Sequence, residues 1–385
     1  MRQSVRESRN RGSMSRRDFL CTAAGAALGA AAAGTGFAAP QAGANITVNG
    51  LPGIVLGRTG LEITKISFGG ILLKEPPVLL EAVERGIKLV HTSPGYTNGR
   101  SMESFGKAFK QDKSLRDKVV FALKTRPEKL DEYLPALGID YVDMLIPPMD
   151  SIQDISDPAL RESFEKARKA GKVGHMGFAC HTHKPEIIDK MVELGFYDVI
   201  LMSYANKDQP FIDSLERARK AGIGILAMKG LPKRTSNDPN AKERELISSL
   251  CTSMVGRYHA HTVLASMGSF QAVEMYDEIL KTKIGLRNQL LEDRYLAGLE
   301  GNYCAMCGTC SGVCPQAGGT VQRVLRYRMY YKDYGLKEYA RAKYSRLGRK
   351  AVESIGPQEL ALCEQSCLRK LPLSEMVAEA RRLLS

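Results

Sequence analysis

Apolar residues along this chain fall into short, nearly unbroken runs, and between the runs the spacing shifts to the three-and-four rhythm of amphipathic helices. The runs at 65–68, 88–92, 119–124, 141–146, 175–180, 199–204, 224–229 and 261–267 are continuous rather than alternating. Continuity of this kind marks strands covered on both faces, as in a parallel sheet flanked by helices. Helical rhythm fills 159–170, 185–194, 210–221 and 241–257. Ahead of the first run, ITVNGLPGIVLG carries Asn-Gly and Pro-Gly turn signals and predicts a hairpin. Eight strand–helix repeats over about 240 residues predict an α/β fold, a (β/α)8 TIM barrel, whose usual length is about 250 residues. A doubly wound sheet competes. It would open on a G-x-G-x-x-G turn after the first strand, and the chain has none there.

In such a barrel the chemistry sits at the C-terminal ends of the strands. Those ends carry His91 and Thr92, Lys124, Pro147 and Pro148, Cys180 and His181, Tyr204 to Asn206, Lys229, and Ser266, with Tyr96 shortly after the second strand. Tyr96, Lys124 and His91 are the candidate catalytic residues. A nearby ammonium favours a phenolate, so Lys124 is expected to lower the Tyr96 pKa. Tyr96 would then serve as a general acid to a carbonyl oxygen at moderate pH. The plainer reading makes Tyr96 a loop aromatic and Lys124 a strand-end charge. Asn206 and Lys229 are the candidate cofactor contacts. His181 and His183 could hold a substrate or metal at the barrel mouth, although two exposed loop histidines are the commoner case. Cys180 and Cys251 read as small buried apolar residues.

The segments LGRTGLEITKISFGG, GIKLVHTSPGYTNGRSMESFGKAF, VVFALKT, GIDYVDMLI, GKVGHMGFA and GIGILAMKGL occur in order between about 56 and 274. Together they resemble successive segments of the aldo-keto reductases. The resemblance implies NADPH-dependent carbonyl reduction by an Asp, Tyr, Lys and His tetrad. Tyr96 falls on the Tyr and Lys124 on the Lys. His91 stands at the Asp position and Pro148 at the His position. Pro148 has no side-chain donor to polarise a carbonyl. His91 lacks the fixed negative charge that would hold Lys124, and when protonated it would repel that lysine. It could instead be a substitute proton donor, since His titrates near neutral pH. The nucleotide positions differ too. Ala179 replaces a Ser, Leu201 a Gln, Ser266 a Gly and Tyr276 an Asn, and Gly268 stands where a basic residue is common. An Arg or Lys there would clamp a 2′-phosphate, so NADP(H) remains only an optional cofactor.

Downstream lies Cys304-x2-Cys307-x2-Cys310-x3-Cys314-Pro315. This is the bacterial ferredoxin spacing for a [4Fe–4S] cluster. Zinc prefers two separated pairs, and disulfides are the other reading in an oxidising compartment. In two-cluster ferredoxins the fourth Cys of each run serves the other cluster. The second run here is Cys363-x3-Cys367, and counting back by three meets Pro357 and Leu360, which cannot ligate iron. One complete set remains: Cys304, Cys307, Cys310 and Cys367. A single cluster is expected, with Cys314 and Cys363 left as a disulfide or a protected thiol pair. The competing set is Cys304, Cys307, Cys310 and Cys314. The stretch VQRVLRYRMYYKDYGLKEYARAKYSRL between the two runs reads as helix packed against the barrel rather than as a nucleic-acid surface. A barrel followed by such a C-terminal module is similar to an iron–sulfur branch of the aldo-keto reductases.

The other end carries Ser15-Arg16-Arg17-Asp18-Phe19-Leu20 before an Ala/Gly-rich apolar stretch, with Ala42-Gly43-Ala44 as a small-x-small cleavage pattern. Paired arginines in that setting read as a twin-arginine (Tat) export signal. The expected organisation is therefore a signal at 1–44, a barrel at 45–285 and a ferredoxin-like α-helical iron–sulfur module at 286–385. The expected location is the periplasm, with no stable membrane insertion after cleavage.

Charge and composition refine this picture only slightly. The 385 residues carry a net charge of +13, with hydrophobic residues at 44% and charged ones at 25%, which is ordinary globular usage and excludes a disordered chain. Basic residues exceed acidic ones six to two in 1–44 and fourteen to seven in 301–385. The basic tail can offset an anionic cofactor or dock an acidic redox partner protein. No DNA-reading motif accompanies it, so no nucleic-acid partner is expected. Two functions follow. One is an exported oxidoreductase acting on a small carbonyl or related substrate, with electrons relayed through one cluster. The other is a non-catalytic barrel retained for periplasmic electron transfer or binding.

Overall fold

Asn49 and Gly50 take left-handed φ angles of 50° and 80°. Two such residues in succession form the tight turn that matches the twist of paired strands. The chain accordingly doubles back from β1 (Asn45–Val48) to β2 (Leu51–Val55), and β3 (Glu62–Thr64) adds to the same small antiparallel sheet. The computed structural model describes residues 45–182, 185–205, 208–232, 240–299, 301, 303–315 and 317–385. The export signal, His183 and Asn206 lie outside them.

Eight parallel strands follow and close into a barrel. They are β4 (Ile66–Gly69), β5 (Leu89–Thr92), β6 (Val120–Leu123), β7 (Val142–Leu145), β8 (Val173–Cys180), β9 (Val199–Ser203), β10 (Gly224–Met228) and β11 (Thr262–Ser266). Each pairs with its successor, and β11 closes on β4 through Val263 opposite Ile66. The main helices after them are α1 (Pro76–Glu84), α2 (Arg100–Gln111), α3 (Leu130–Leu137), α4 (Pro158–Lys169), α5 (Pro185–Leu194), α6 (Gln209–Lys220), α7 (Ala241–Val255) and α8 (Phe270–Glu278). Side-chain caps start several of them: Asp157 accepts from the Ala159 N–H, Asp208 from Phe211, and Asn240 with Glu243 forms a reciprocal box. The (β/α)8 expectation holds, and the strands lie within a residue or two of the apolar runs. No described helix is long and apolar enough to cross a membrane.

The hairpin plugs one end of the barrel. Ile54, Leu56 and Ile63 pack into an interior cluster with Leu89, Val120, Val199 and Leu226. Gly57 makes this close approach possible: its φ is +51°, and a Cβ there would sit 2.4 Å from the Gly222 carbonyl oxygen. Arg58 then fastens the plug, donating to Asp198 at 3.0 Å and to the Tyr197 carbonyl at 2.8 Å.

The opposite end is closed by the C-terminal helices. First α9 (Gln289–Ala297) docks on α7, where its buried Glu292 accepts hydrogen bonds from Ser253 and Ser249 and faces Arg287 at 3.4 Å. Then come α10 (Thr309–Val313), α11 (Gly318–Lys332), α12 (Lys337–Ser345), α13 (Arg349–Glu353), α14 (Pro357–Gln365) and α15 (Leu373–Leu384). They share a second apolar core, built from residues such as Val321, Leu325, Leu360 and Val377 and reaching Ala205 of the barrel. Gly318 lets α11 begin against the cysteine run, since a Cβ there would lie 1.8 Å from the Cys310 carbonyl oxygen.

Candidate functional site

The strand ends and α11 enclose a cavity of about 60 Å³. His91 from β5, Tyr96 from the turn after it, His181 after β8, Lys229 after β10 and Ser266 from β11 line it, together with Tyr330 and Tyr334 of the C-terminal segment. Three of the sequence-derived catalytic candidates converge here. The His91 ring meets the Tyr96 ring edge-on at 5.7 Å, and the Lys124 Nζ lies 5.9 Å from the Tyr96 ring centroid. A larger groove of about 370 Å³ runs outside the mouth along Lys74, Asn98, Arg100 and Lys337.

Lys124 is engaged elsewhere. Its Nζ donates to the His181 Nε2 at 2.8 Å. The His181 backbone N–H donates to the Asp150 Oδ1 at 2.6 Å, and its Nδ1 lies 3.6 Å from the same carboxylate. Arg326 of α11 reaches Asp150 from above at 3.9 Å. A chain of charge therefore runs from Arg326 through Asp150 and His181 to Lys124.

Burial sets the protonation states. It lowers Lys124 to about 7, with Arg326 the next cause, and it lowers Lys229 to about 7 for the same reasons. His91 falls to about 3 through burial and then Lys124, so its ring is neutral near pH 7 and does not repel that lysine. Nor does it titrate near neutral pH. His181 is driven well below its ordinary value by burial and Lys124. Burial opposes ionisation of Asp150, but hydrogen bonding to His181 and the charge of Arg326 outweigh it and hold the carboxylate ionised.

The expectation for Tyr96 is overturned. Burial pushes its phenol well above 10, and Tyr330, Tyr339 and Tyr334 push the same way. Desolvation in the closed mouth dominates any help from Lys124, whose ammonium is directed to His181. His181 is likewise buried rather than exposed, because α11 covers the strand ends. Cys180 and Cys251 are buried as expected.

A second, smaller cavity of about 20 Å³ lies in the C-terminal segment. Cys304, Cys307, Cys310 and Cys367 all line it, with Gln322 and Arg369. Met306 and Gly308 take φ angles of 55° and 82°, which bend the run so that successive thiols face one space. Cys314 does not line the cavity. It is buried beside Cys363, whose thiol also neighbours Cys310. All described cysteines are free thiols, so the disulfide alternative gives way to a buried pair. Lys229 lines the first cavity and Cys304 the second, and the two side chains are near enough to act electrostatically on each other.

Residues 75–233 match the aldo/keto reductase family. The matched stretch covers β5 to β10 and contains His91, Tyr96, Lys124 and Lys229. Among solved structures, the barrel is similar to the holo form of aldo-keto reductase AKR11C1 from Bacillus halodurans. Identity is 17% and the TM-score 0.52, over 65% of this chain and 96% of that one. The apo form of the same protein matches at 17% identity and a TM-score of 0.50, with the same coverage. An aldo-keto reductase from Klebsiella pneumoniae in complex with NADPH matches at 17% identity and a TM-score of 0.48, over 66% of this chain and 95% of that one. At such identities the likeness is one of fold.

Asp150, Arg326, Tyr330 and Tyr334 escaped the sequence reading. For Arg326 and Tyr330 a signal existed: they stand four apart in one helical row. Tyr334 lies just after that helix, and Asp150 lies five residues past β7, two beyond the Pro147 and Pro148 of the strand-end inventory.

Proposed function

We propose that this protein is an exported iron–sulfur oxidoreductase acting on a small carbonyl compound. One [4Fe–4S] cluster would be held by Cys304, Cys307, Cys310 and Cys367. Support for the cluster comes from the thiol cavity. A single tetrahedral ion draws its thiolates to about 2.3 Å from one point. Among the described residues no group of three or more His, Cys, Asp or Glu side chains is poised to hold a metal ion. The cluster reading therefore rests on the ferredoxin spacing and on the four thiols lining one small space, which would have to widen to take a cluster. Burial pushes the Cys304 thiol up to about 11, so bound metal charge would be needed to deprotonate it. When bound, the cluster supplies or accepts one electron at a time.

The observation that carries the reading is the grouping of His91, Tyr96 and Lys229 in one buried cavity at the barrel mouth. There the Tyr96 phenol, protonated through neutral pH, holds a proton at the cavity wall for a developing alkoxide. Reduction of a carbonyl takes two electrons and two protons. A redox partner protein of the periplasm would supply the electrons singly through the thiol-lined cavity. The departures at Ala179, Leu201, Ser266, Gly268 and Tyr276 from the usual nucleotide contacts favour the cluster over NADP(H) as the electron source. The paired Arg16 and Arg17 support Tat export of the folded, loaded protein.

The test uses anaerobic, cluster-loaded protein kept reduced by a small excess of dithionite, which replaces the partner as electron donor so that two electrons can pass through the single cluster for each carbonyl. Reoxidation of the visible cluster band by glyoxylate, glycolaldehyde or glyceraldehyde, slowed at least tenfold in Tyr96→Phe, is the expected result. Reoxidation by none of them would leave the barrel as a non-catalytic scaffold. Quenching of NADPH fluorescence with cluster bleaching would return the chemistry to hydride transfer.

A further inference from the structure

The barrel-mouth cavity is electrically incomplete. Lys229 Nζ and both ring nitrogens of His91 are buried without a hydrogen-bond partner, and both residues line the cavity. A native interior rarely leaves such groups unanswered, since an unpaired buried polar group forfeits its hydration with nothing in return. The charges around the mouth are lopsided as well. Lys124, Lys229, Arg326 and Lys343 face one another closely enough to interact, and Asp150 is the carboxylate among them. Asp150 is already committed to His181 and Arg326. Lys229 itself stands at left-handed φ (60°), a conformation that a lysine adopts only when its surroundings dictate it.

The missing component has a definable size and sign. In a cavity of this measure a water takes roughly 10–15 Å³, so 60 Å³ corresponds to about four or five waters. Ile71, Met228 and Leu264 supply an apolar side, and Tyr96, Tyr330 and Tyr334 supply phenols. We propose that this cavity binds a small monocarboxylate of about two or three carbons, its charge paired with Lys229 and its other oxygens facing His91 and the phenols. Resting on the oxidoreductase reading above, this makes the substrate a short 2-oxo or 2-hydroxy acid. The Cys304 side is a weaker explanation for the lysine, because Lys229 lines the barrel cavity and not the thiol cavity.

The test is acetate binding to the full-length, cluster-loaded protein, followed by saturation-transfer NMR and calorimetry, with acetamide as the neutral isostere. Acetate is expected to bind saturably and to be displaced by glyoxylate, with acetamide at least tenfold weaker. Lys229→Met should weaken acetate at least tenfold, and Lys229→Arg should retain most of the affinity. Acetamide binding as well as acetate would overturn the proposal. So would Lys229→Met binding acetate like the parent while shifting only the cluster potential, which would assign the lysine to the cluster. Should Lys229→Met lose its fold by thermal melting, the acetate–acetamide contrast on the unaltered protein decides. Acetate binding without carbonyl turnover would sustain the anion site while removing the oxidoreductase reading. Turnover without acetate binding would do the reverse.

Discussion

The Lys124 ammonium donates to His181 at 2.8 Å and leaves the Tyr96 ring 5.9 Å away. The lysine therefore tunes a histidine directly and the tyrosine only through space. Tyr96 stays a neutral phenol well past pH 10, whereas Lys124 titrates at about 7. Carbonyl reduction should accordingly show no basic limb from a phenolate. It should fall as the pH rises through about 7, when Lys124 loses its proton. Rates of cluster reoxidation between pH 5.5 and 9 check this, and Lys124→Arg, which cannot deprotonate in this range, should flatten the fall.

Burial of Lys229 has a stability consequence with a definite sign. Its folded pKa, about 7, lies below the ordinary 10.5, so between those values the unfolded chain binds more protons than the folded one. Stability contributed by this residue therefore rises with pH across that window. Below about 7 the full cost of burying the charge is present. Lys229→Met should stabilise the protein at pH 7 by on the order of 1–3 kcal/mol, and the gain should shrink toward zero by pH 10. Urea midpoints of the two proteins at pH 7 and 9.5 measure the difference, with Lys124, Arg326, Asp150 and Cys304 facing the group in both.

Cys314 and Cys367 should behave oppositely. Cys367 lines the thiol cavity, and Cys314 is buried beside Cys363 outside it. Cys367→Ser is expected to lose iron and the visible band. Cys314→Ser should retain both. Iron analysis with electron paramagnetic resonance of the reduced proteins separates them, and iron loss confined to Cys314→Ser would exchange the two assignments.

The barrel wall holds a buried ion pair that can be measured independently of any cofactor. Arg116 and Asp143 meet at 2.7 Å, and Asp143 also accepts from the Phe121 N–H at 2.8 Å and the Tyr141 hydroxyl at 2.9 Å. Asp143→Ala removes the counter-charge of Arg116, which keeps its bonds to the Tyr141 and Val119 carbonyls, and the acceptor for the Phe121 N–H, and should cost about 3–5 kcal/mol in urea unfolding. Asp143→Asn keeps acceptor capacity and should cost less.

Most of the barrel could be read from the chain because its strands are buried on both faces. Residues 199–202 and 225–228 declare themselves by unbroken apolar character alone. Asn49-Gly50 announced the hairpin through its turn chemistry. The three-residue β3 is too short to leave a pattern, and its pairing with β2 is a tertiary event. The candidate site was half legible. His91, Tyr96, Lys124 and Lys229 stand at strand ends, where topology predicts chemistry. Arg326 and Tyr330 on α11, and Tyr334 just after it, lie more than 150 residues beyond Asp150. No local pattern says that this helix crosses the barrel mouth. The expected fall in the Tyr96 pKa failed for the same reason, since the roof that desolvates it belongs to that distant segment.

Gly318 seats α11 against the Cys310 carbonyl, and the same helix carries Arg326 and Tyr330 over the barrel. The roof of one chamber and the wall of the other are thus a single rigid piece. A side chain added at Gly318 would therefore be expected to displace the cysteine run and the covering over His91 and Tyr96 together.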